Sequence, residues 1–159
     1  MLVEIYSDGS ATTADKPGGY AWVLVVDGVK IDEGFGHLDK ATNNVAEITA
    51  AIRGLERVES YLKTVVNSAA GTPGTNDVRV VLISDSQLVL RYATGEYQCR
   101  KYHLVPLYIN LRRIFQKVKA ETRWVRGHTG DKYNEECDVL AKAARDSTTG
   151  TSSQNKSSP

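Results

Sequence analysis

The chain reads as an α/β domain: a five-stranded mixed sheet, part antiparallel meander and part parallel, flanked by helices. Three observations predict this. Residues 2–36 hold three apolar strand patterns separated by turn signals. Residues 42–66 carry one long amphipathic helix pattern. From residue 78 onward strand and helix patterns alternate, the arrangement that connects parallel strands.

Taken in order, residues 2–7 alternate as a first strand that should end at Asp8-Gly9-Ser10, with a loop through Pro17-Gly18-Gly19 behind it. Tyr20–Val26 is a nearly continuous apolar run and a second strand. Asp27-Gly28 favours the left-handed backbone of a two-residue hairpin, so Val29–Gly36 should return as a third. Thr42 and Asn43 are good helix N-caps. Beyond them Val45, Ile48, Ile52, Leu55, Val58 and Leu62 recur at helical spacing, to about Val66. Asn67 to Asp77 is small and polar with Pro73 and Gly74, and is predicted to be a flexible loop. Val78–Ser84 is a buried strand, followed by a short helix from Ser86 to Ala93 that stops near Gly95. A helix over about Pro106 to Lys119 shows Leu107, Leu111, Ile114, Phe115 and Val118 on one stripe. Thr122–Val125 is the last strand and Asn134–Arg145 the last helix, giving the order β-β-β-α-β-α-α-β-α. Residues 1–146 thus form one domain, and 147–159, Ser/Thr-rich without apolar periodicity, a disordered tail.

At 159 residues with 41% hydrophobic and 25% charged content, the chain can bury one ordinary globular core. Its net charge of +1 hides an asymmetry: ten acidic against five basic side chains in residues 1–60, but eight basic against Glu121 alone in residues 100–126. A basic surface beside an acidic one suits a phosphate polymer that is held and then cut. Cys99 and Cys137 make neither a disulfide framework nor a Cys-x-x-Cys motif, and are expected as one surface thiol and one small core residue. No apolar run approaches membrane-spanning length, and the chain opens on a strand pattern without a basic and apolar leader. A reducing, cytoplasmic compartment is expected, and nothing requires more than a monomer.

Four acids stand out by position: Asp8, Glu47 in Thr42-Asn43-Asn44-Val45-Ala46-Glu47, Asp85 in Ile83-Ser84-Asp85-Ser86-Gln87, and Asp138 ten residues beyond His128. Each lies where a strand ends or a helix begins. If the first and fourth strands are parallel neighbours, Asp8 and Asp85 end side by side, about 5 Å apart. Four converging carboxylates repel one another and would not all stay ionised. A pair of divalent cations resolves that conflict and is a standard device for phosphodiester cleavage. The residues therefore predict a metal-dependent nuclease.

Asp8-Gly9-Ser10, Thr42-Asn43-Asn44-x-x-Glu47, Asp85-Ser86-Gln87, Trp124-Val125-x-Gly127-His128 and Asn134-Glu135-x-x-Asp138 together resemble type 1 ribonuclease H, in the family's order over about residues 1–145. The resemblance implies the ribonuclease H-like fold for this α/β sheet. It also implies endonucleolytic hydrolysis of the RNA strand of an RNA–DNA hybrid, leaving 5′-phosphate and 3′-hydroxyl ends. The implied cofactors are two Mg²⁺ ions, with Mn²⁺ as an alternative. Asp8 would bridge both ions, Asp138 would help hold the one that activates water, and Glu47 and Asp85 the one at the leaving oxygen. His128, in the loop Gly127-His128-Thr129-Gly130, would assist proton movement or product release. Gly9, Ser10, Asn43, Asn44, Gln87 and Asn134 match substrate-contacting positions, several of them at ribose hydroxyls. Thr42 and Asn44 match a pocket for a DNA-strand phosphate.

The resemblance departs at two places. Gly95 to Val105 is short and lacks the tryptophans of many bacterial members, so Tyr97, Arg100, Lys101 and Tyr102 stand in as the candidate DNA-strand channel. Ala14 lies near the place of an asparagine that often follows the first motif. Two alternatives stay open at the level of sequence: a DNA junction-resolving or integrase-like nuclease of the same fold, and a catalytically inactive hybrid-binding module.

Overall fold

The computed structural model describes residues 1–68 and 77–147. The strands are β1 (Leu2–Ala11), β2 (Gly18–Val26), β3 (Val29–Leu38), β4 (Arg79–Ser84) and β5 (Ala120–Trp124). The helices are α1 (Asn43–Ser68), α2 (Gln87–Thr94), α3 (Val105–Lys117) and α4 (Lys132–Arg145), with a 3₁₀ turn at Tyr102–Leu104 before α3. Most of the loop expected between Asn67 and Asp77, and the tail expected after Ser147, lie outside the described residues. Asn67 and Ser68 themselves belong to α1. Among the described residues no helix is long and apolar enough to cross a membrane.

The sheet order is β3-β2-β1-β4-β5. The meander β1–β2–β3 is antiparallel, while β4 runs parallel to both β1 and β5. The β2–β3 hairpin turns through Asp27 (φ 48°) and Gly28 (φ 84°), the left-handed pair that a two-residue turn requires. Asp27 also locks the turn to the first strand, its carboxylate accepting from the Leu2 N–H at 2.8 Å.

Strand alternation divides the core into two layers. Val3, Ile5, Trp22, Leu24 and Leu82 pack against Ile48, Leu55 and Val58 of α1 and Leu111 and Ile114 of α3. Tyr6, Ala21, Val23, Val25 and Ile83 pack on the opposite face against Cys137 and Ala141 of α4. That explains the unbroken apolar run of β2, which is covered on both sides. Cys99 is buried as well as Cys137, so the expected surface thiol is absent, and the Cys99 thiol sits 3.6 Å from the Lys101 carbonyl.

The main departure from expectation is β1. Asp8-Gly9-Ser10 does not end the strand: pairing with β2 continues through Asp8↔Ala21, Gly9↔Tyr20 and Ser10↔Gly19 to Ala11↔Gly18. Pairing with β4, in contrast, stops at Tyr6↔Ile83. The glycine here serves close approach rather than a turn. A Cβ on Gly9 would lie 2.3 Å from the Glu47 backbone nitrogen, so the first turn of α1 rests directly on the β1 backbone. On the other face, a Cβ on Gly19 would lie 2.2 Å from the Ala141 carbonyl oxygen of α4.

Gly19→Ala should therefore lower stability by about 1–3 kcal/mol, the usual penalty for overpacking. Chemical unfolding measures it. An unchanged midpoint would mean that α4 is not seated on the β2 backbone.

Candidate metal centre

The site forms where β4 leaves the sheet. After Ser84 the chain turns into α2, while β1 runs on beside β2, leaving a gap next to Asp8. Asp85 lies at the carboxyl end of β4, the edge where ligands of open α/β sheets usually sit. Glu47 arrives from just past the first turn of α1, a helix start that Thr42 caps by accepting from the Val45 N–H at 3.2 Å. The Ser86 hydroxyl caps α2, accepting from the Val89 N–H at 3.2 Å, and also hydrogen-bonds the Glu47 carboxylate. The acids are thus placed by two helix starts and two strands.

Asp8, Glu47 and Asp85 each offer a carboxylate oxygen, all within 4.8 Å of one another. Asp8 is buried, the other two half-buried. Burial first, then the charges of Asp85, Glu47 and Asp138, push Asp8 up to about 8, although it accepts from the Gly9 N–H at 2.9 Å. Burial first, and then Asp85, push Glu47 up to about 7, while hydrogen bonds from Ser86 and Asn43 pull the other way. Asp85 is raised by burial and Asp138 and held back by Asn134 and His128. Such crowding suits a divalent cation, and a set made only of carboxylate oxygens suits a hard one. Among the described residues this is the group of acids so placed.

Asp138 lies outside that group of three. Its carboxylate pairs with Lys142 one turn along α4 at 3.0 Å, while its charge still reaches Asp8 and Asp85. His128 is exposed, with φ of 59°. An L-residue held there is disfavoured by roughly 1–2 kcal/mol, and such positions concentrate at functional sites. Asn134 is buried and hydrogen-bonds the Asp85 carboxylate, so it holds a candidate ligand rather than facing outward. Ser10 is buried too, its hydroxyl accepting from Arg145 at 2.9 Å. Asn43 and Gln87 are exposed, and Asn44 is half-buried. Tyr97, Arg100, Lys101 and Tyr102 are all exposed, the last by 93%.

Sequence reasoning missed Lys142, and it quoted Ser86 and Trp124 in motif blocks without giving either a role; the Trp124 Nε1–H donates to the Asp85 carbonyl at 3.1 Å. Lys142 was legible, four residues after Asp138 on a helix. The contacts of Ser86 and Trp124 depend on the packing of α1 and β5 and had no local signal.

The sequence model of the RNase H family matches residues 2–146. The chain belongs to the RNase H family. Ribonuclease H of Photorhabdus laumondii is 33% identical over 162 residues, covering 94% of this chain and 92% of the relative. Ribonuclease H of Syntrophotalea carbinolica is 32% identical, covering 90% of each. Among solved structures, RNase H1 of the halophilic archaeon Halobacterium salinarum superposes with a TM-score of 0.72 at 29% identity, over 91% of this chain and 97% of that one. LC11-RNase H1, isolated from compost, gives 0.74 at 25% identity, over 91% and 95%. The ribonuclease H fold expected from the motifs is the fold observed.

The raised acids make the RNase H site a source of pH-dependent stability. Unfolded Asp8 loses its proton near 3.8, whereas folded Asp8 keeps it to about 8. The folded state then binds more protons across that window, so its stability falls as pH rises through it. Without divalent ions, melting temperature should decline across the window, and Asp8→Asn, with no proton to lose, should flatten the decline. An equal slope in the variant would show that these acids do not crowd one another.

Proposed function

We propose that this RNase H-family chain is an endoribonuclease that hydrolyses the RNA strand of RNA–DNA hybrids using two Mg²⁺ ions, giving 5′-phosphate and 3′-hydroxyl ends. The observation that carries the proposal is the convergence of Asp8, Glu47 and Asp85 within 4.8 Å, in a chain matched by the RNase H family across residues 2–146. LC11-RNase H1, which has the same fold at a TM-score of 0.71, has been solved in complex with an RNA/DNA hybrid.

Asp8, Glu47 and Asp85 would hold the ions, and Asp138 would join them by exchanging its Lys142 partner. Bound divalent ions supply charge stabilisation to the attacking and leaving oxygens of an in-line displacement. The chain's own residues do the rest. Asn134 and Ser86 fix the orientation of Asp85 and Glu47. His128, exposed on the loop beside Asp85, takes and returns a proton.

Strand choice requires donors and acceptors for the 2′-hydroxyl, which only RNA carries. Asn43, Asn44 and Gln87 supply such amides around the acids, and a DNA-cutting enzyme would have no use for them. Thr42 and Asn44 would grip a DNA-strand phosphate at the start of α1. Tyr97, Arg100, Lys101 and Tyr102 form an exposed aromatic and basic run for the same strand. Every residue named comes from one chain, so a monomer suffices.

Labelled hybrid, duplex RNA and duplex DNA, each with and without Mg²⁺, test the proposal. The expected outcome is cleavage of hybrid RNA alone, and only with the ion. Cleavage of duplex DNA at a comparable rate would indicate a junction-resolving or integrase-like enzyme, and binding without cleavage an inactive module. Asp8→Asn should remove nearly all activity while retaining the fold by circular dichroism. His128→Ala should slow turnover by roughly 10²-fold or more, the usual contribution of general acid–base catalysis, without abolishing it.

A further inference from the structure

A groove of about 230 Å³ runs between α2 and β5, outside the acidic cluster but adjoining it. Gln87, Arg91 and Thr94 form its helical wall, and Thr122 and Trp124 its strand wall. Trp124 joins groove to cluster, because its indole N–H is spent on the Asp85 carbonyl and the ring is thereby held in one orientation. The ring nevertheless remains open to solvent, with 43% of the residue exposed at the end of an edge strand. The Arg126 guanidinium lies 5.8 Å from the centre of the Trp124 ring. Across the groove, Arg91 stacks over Tyr97 at 5.1 Å, donates to its hydroxyl, and donates to the Gln87 side chain. Glu96 is the acid of the groove and lies 3.7 Å from Arg91. The groove itself is thus lined by one arginine, one indole and one carboxylate, with Arg126 beside the indole just outside it and Tyr97 behind Arg91 on the side given to the DNA strand.

A fixed indole left 43% exposed beside the acids is a preformed platform against which an incoming strand can pack. Aromatic faces flanked by arginines are elements of sequence-tolerant nucleic-acid paths; on a paired strand the ring meets a sugar face, since the bases are stacked within the duplex, and the guanidinium meets phosphate. Gln87 belongs to both the groove and the set of amides assigned to ribose hydroxyls. We propose that this groove carries the RNA strand on one side of the cleavage point, with a nucleotide packed on Trp124 and its phosphates facing Arg126 and Arg91. The assignment rests on the hybrid-cleaving reading and extends it by giving the cleaved strand a second binding surface beyond the acids. Trp124 and Arg126 are then positioning residues: they set how tightly and in what register the strand lies, and touch none of the reacting atoms.

The chain's composition makes the test direct. Of its two tryptophans, Trp22 is only 2% exposed in the core, so any change of tryptophan emission on adding nucleic acid reports Trp124. Hybrid titrated without divalent ions should quench that emission along the same curve as binding followed by anisotropy of a labelled strand. Trp124→Phe should bind normally without the quench. Trp124→Leu should weaken binding about fivefold or more through lost stacking, raising KM more than it lowers kcat. Arg126→Gln should reduce the slope of log K against log salt by about 1, which a purely structural role for the loop would leave unmoved. A 5-iodouracil placed beside the cleavage position in the RNA strand should photo-cross-link to Trp124. Hybrid that binds by anisotropy with no change in emission, or cross-linking from the DNA strand only, would overturn the assignment while leaving the hydrolytic reading intact. Absence of hybrid binding altogether would instead refute that reading.

Discussion

Three carboxylates held against their mutual repulsion are the constraint around which the rest of this molecule is arranged. Asp8, Glu47 and Asp85 share a pocket within 4.8 Å, and the pocket pushes Asp8 to about 8 and Glu47 to about 7. Nothing in the local chemistry favours that gathering. It persists because the elements bearing the acids are packed elsewhere by apolar burial. Val3 and Ile5 fix β1, Ile48 and Leu55 fix α1, and Leu82 fixes β4, all in one layer of the core. Burial first, and then the acids' mutual repulsion, disfavour their charged forms, and a divalent ion relieves both.

Small residues allow this without distorting the backbone. Gly9 lets α1 settle on the strand that carries Asp8, so an acid from a helix start meets an acid from mid-strand. Gly19 does the equivalent for α4, which brings Asp138 to the rim and Cys137 beneath Asp8. Hydrogen bonds then trim the cluster: Asn134 on Asp85, Ser86 and Asn43 on Glu47, and the Gly9 N–H on Asp8. The outer ring is looser, with Lys142 paired to Asp138 and His128 on an exposed loop. A tight inner set and an adaptable outer set suit a centre that must admit a polymer and release it.

The element order and all five strands were legible from periodicity, because burial imposes a repeat of two on strands and 3.6 on helices. Boundaries were less so. Asp8-Gly9-Ser10 reads locally as a turn, yet pairing with β2 carries the strand to Ala11. The last helix starts at Lys132 rather than Asn134, because Asp131 caps it by accepting from the Asn134 N–H. Asn134 and Ser10, expected at the substrate, turned out buried and engaged by Asp85 and Arg145. One of the two cysteines was expected as a surface thiol, yet both are buried, Cys99 as part of the core layer under α1 and α3.

By itself the sequence determined the fold class and the family, and named the candidate residues of the site, since motif blocks and periodicity are local properties of the chain. Only the tertiary structure decided how those residues are shared out. It gathered three acids and left the fourth with a lysine, turned an asparagine inward as a support, and exposed one indole beside the cluster. The physical reason is that a side chain's direction depends on which elements close against it, and that closure is set by packing across the sheet, which no window of neighbouring residues contains.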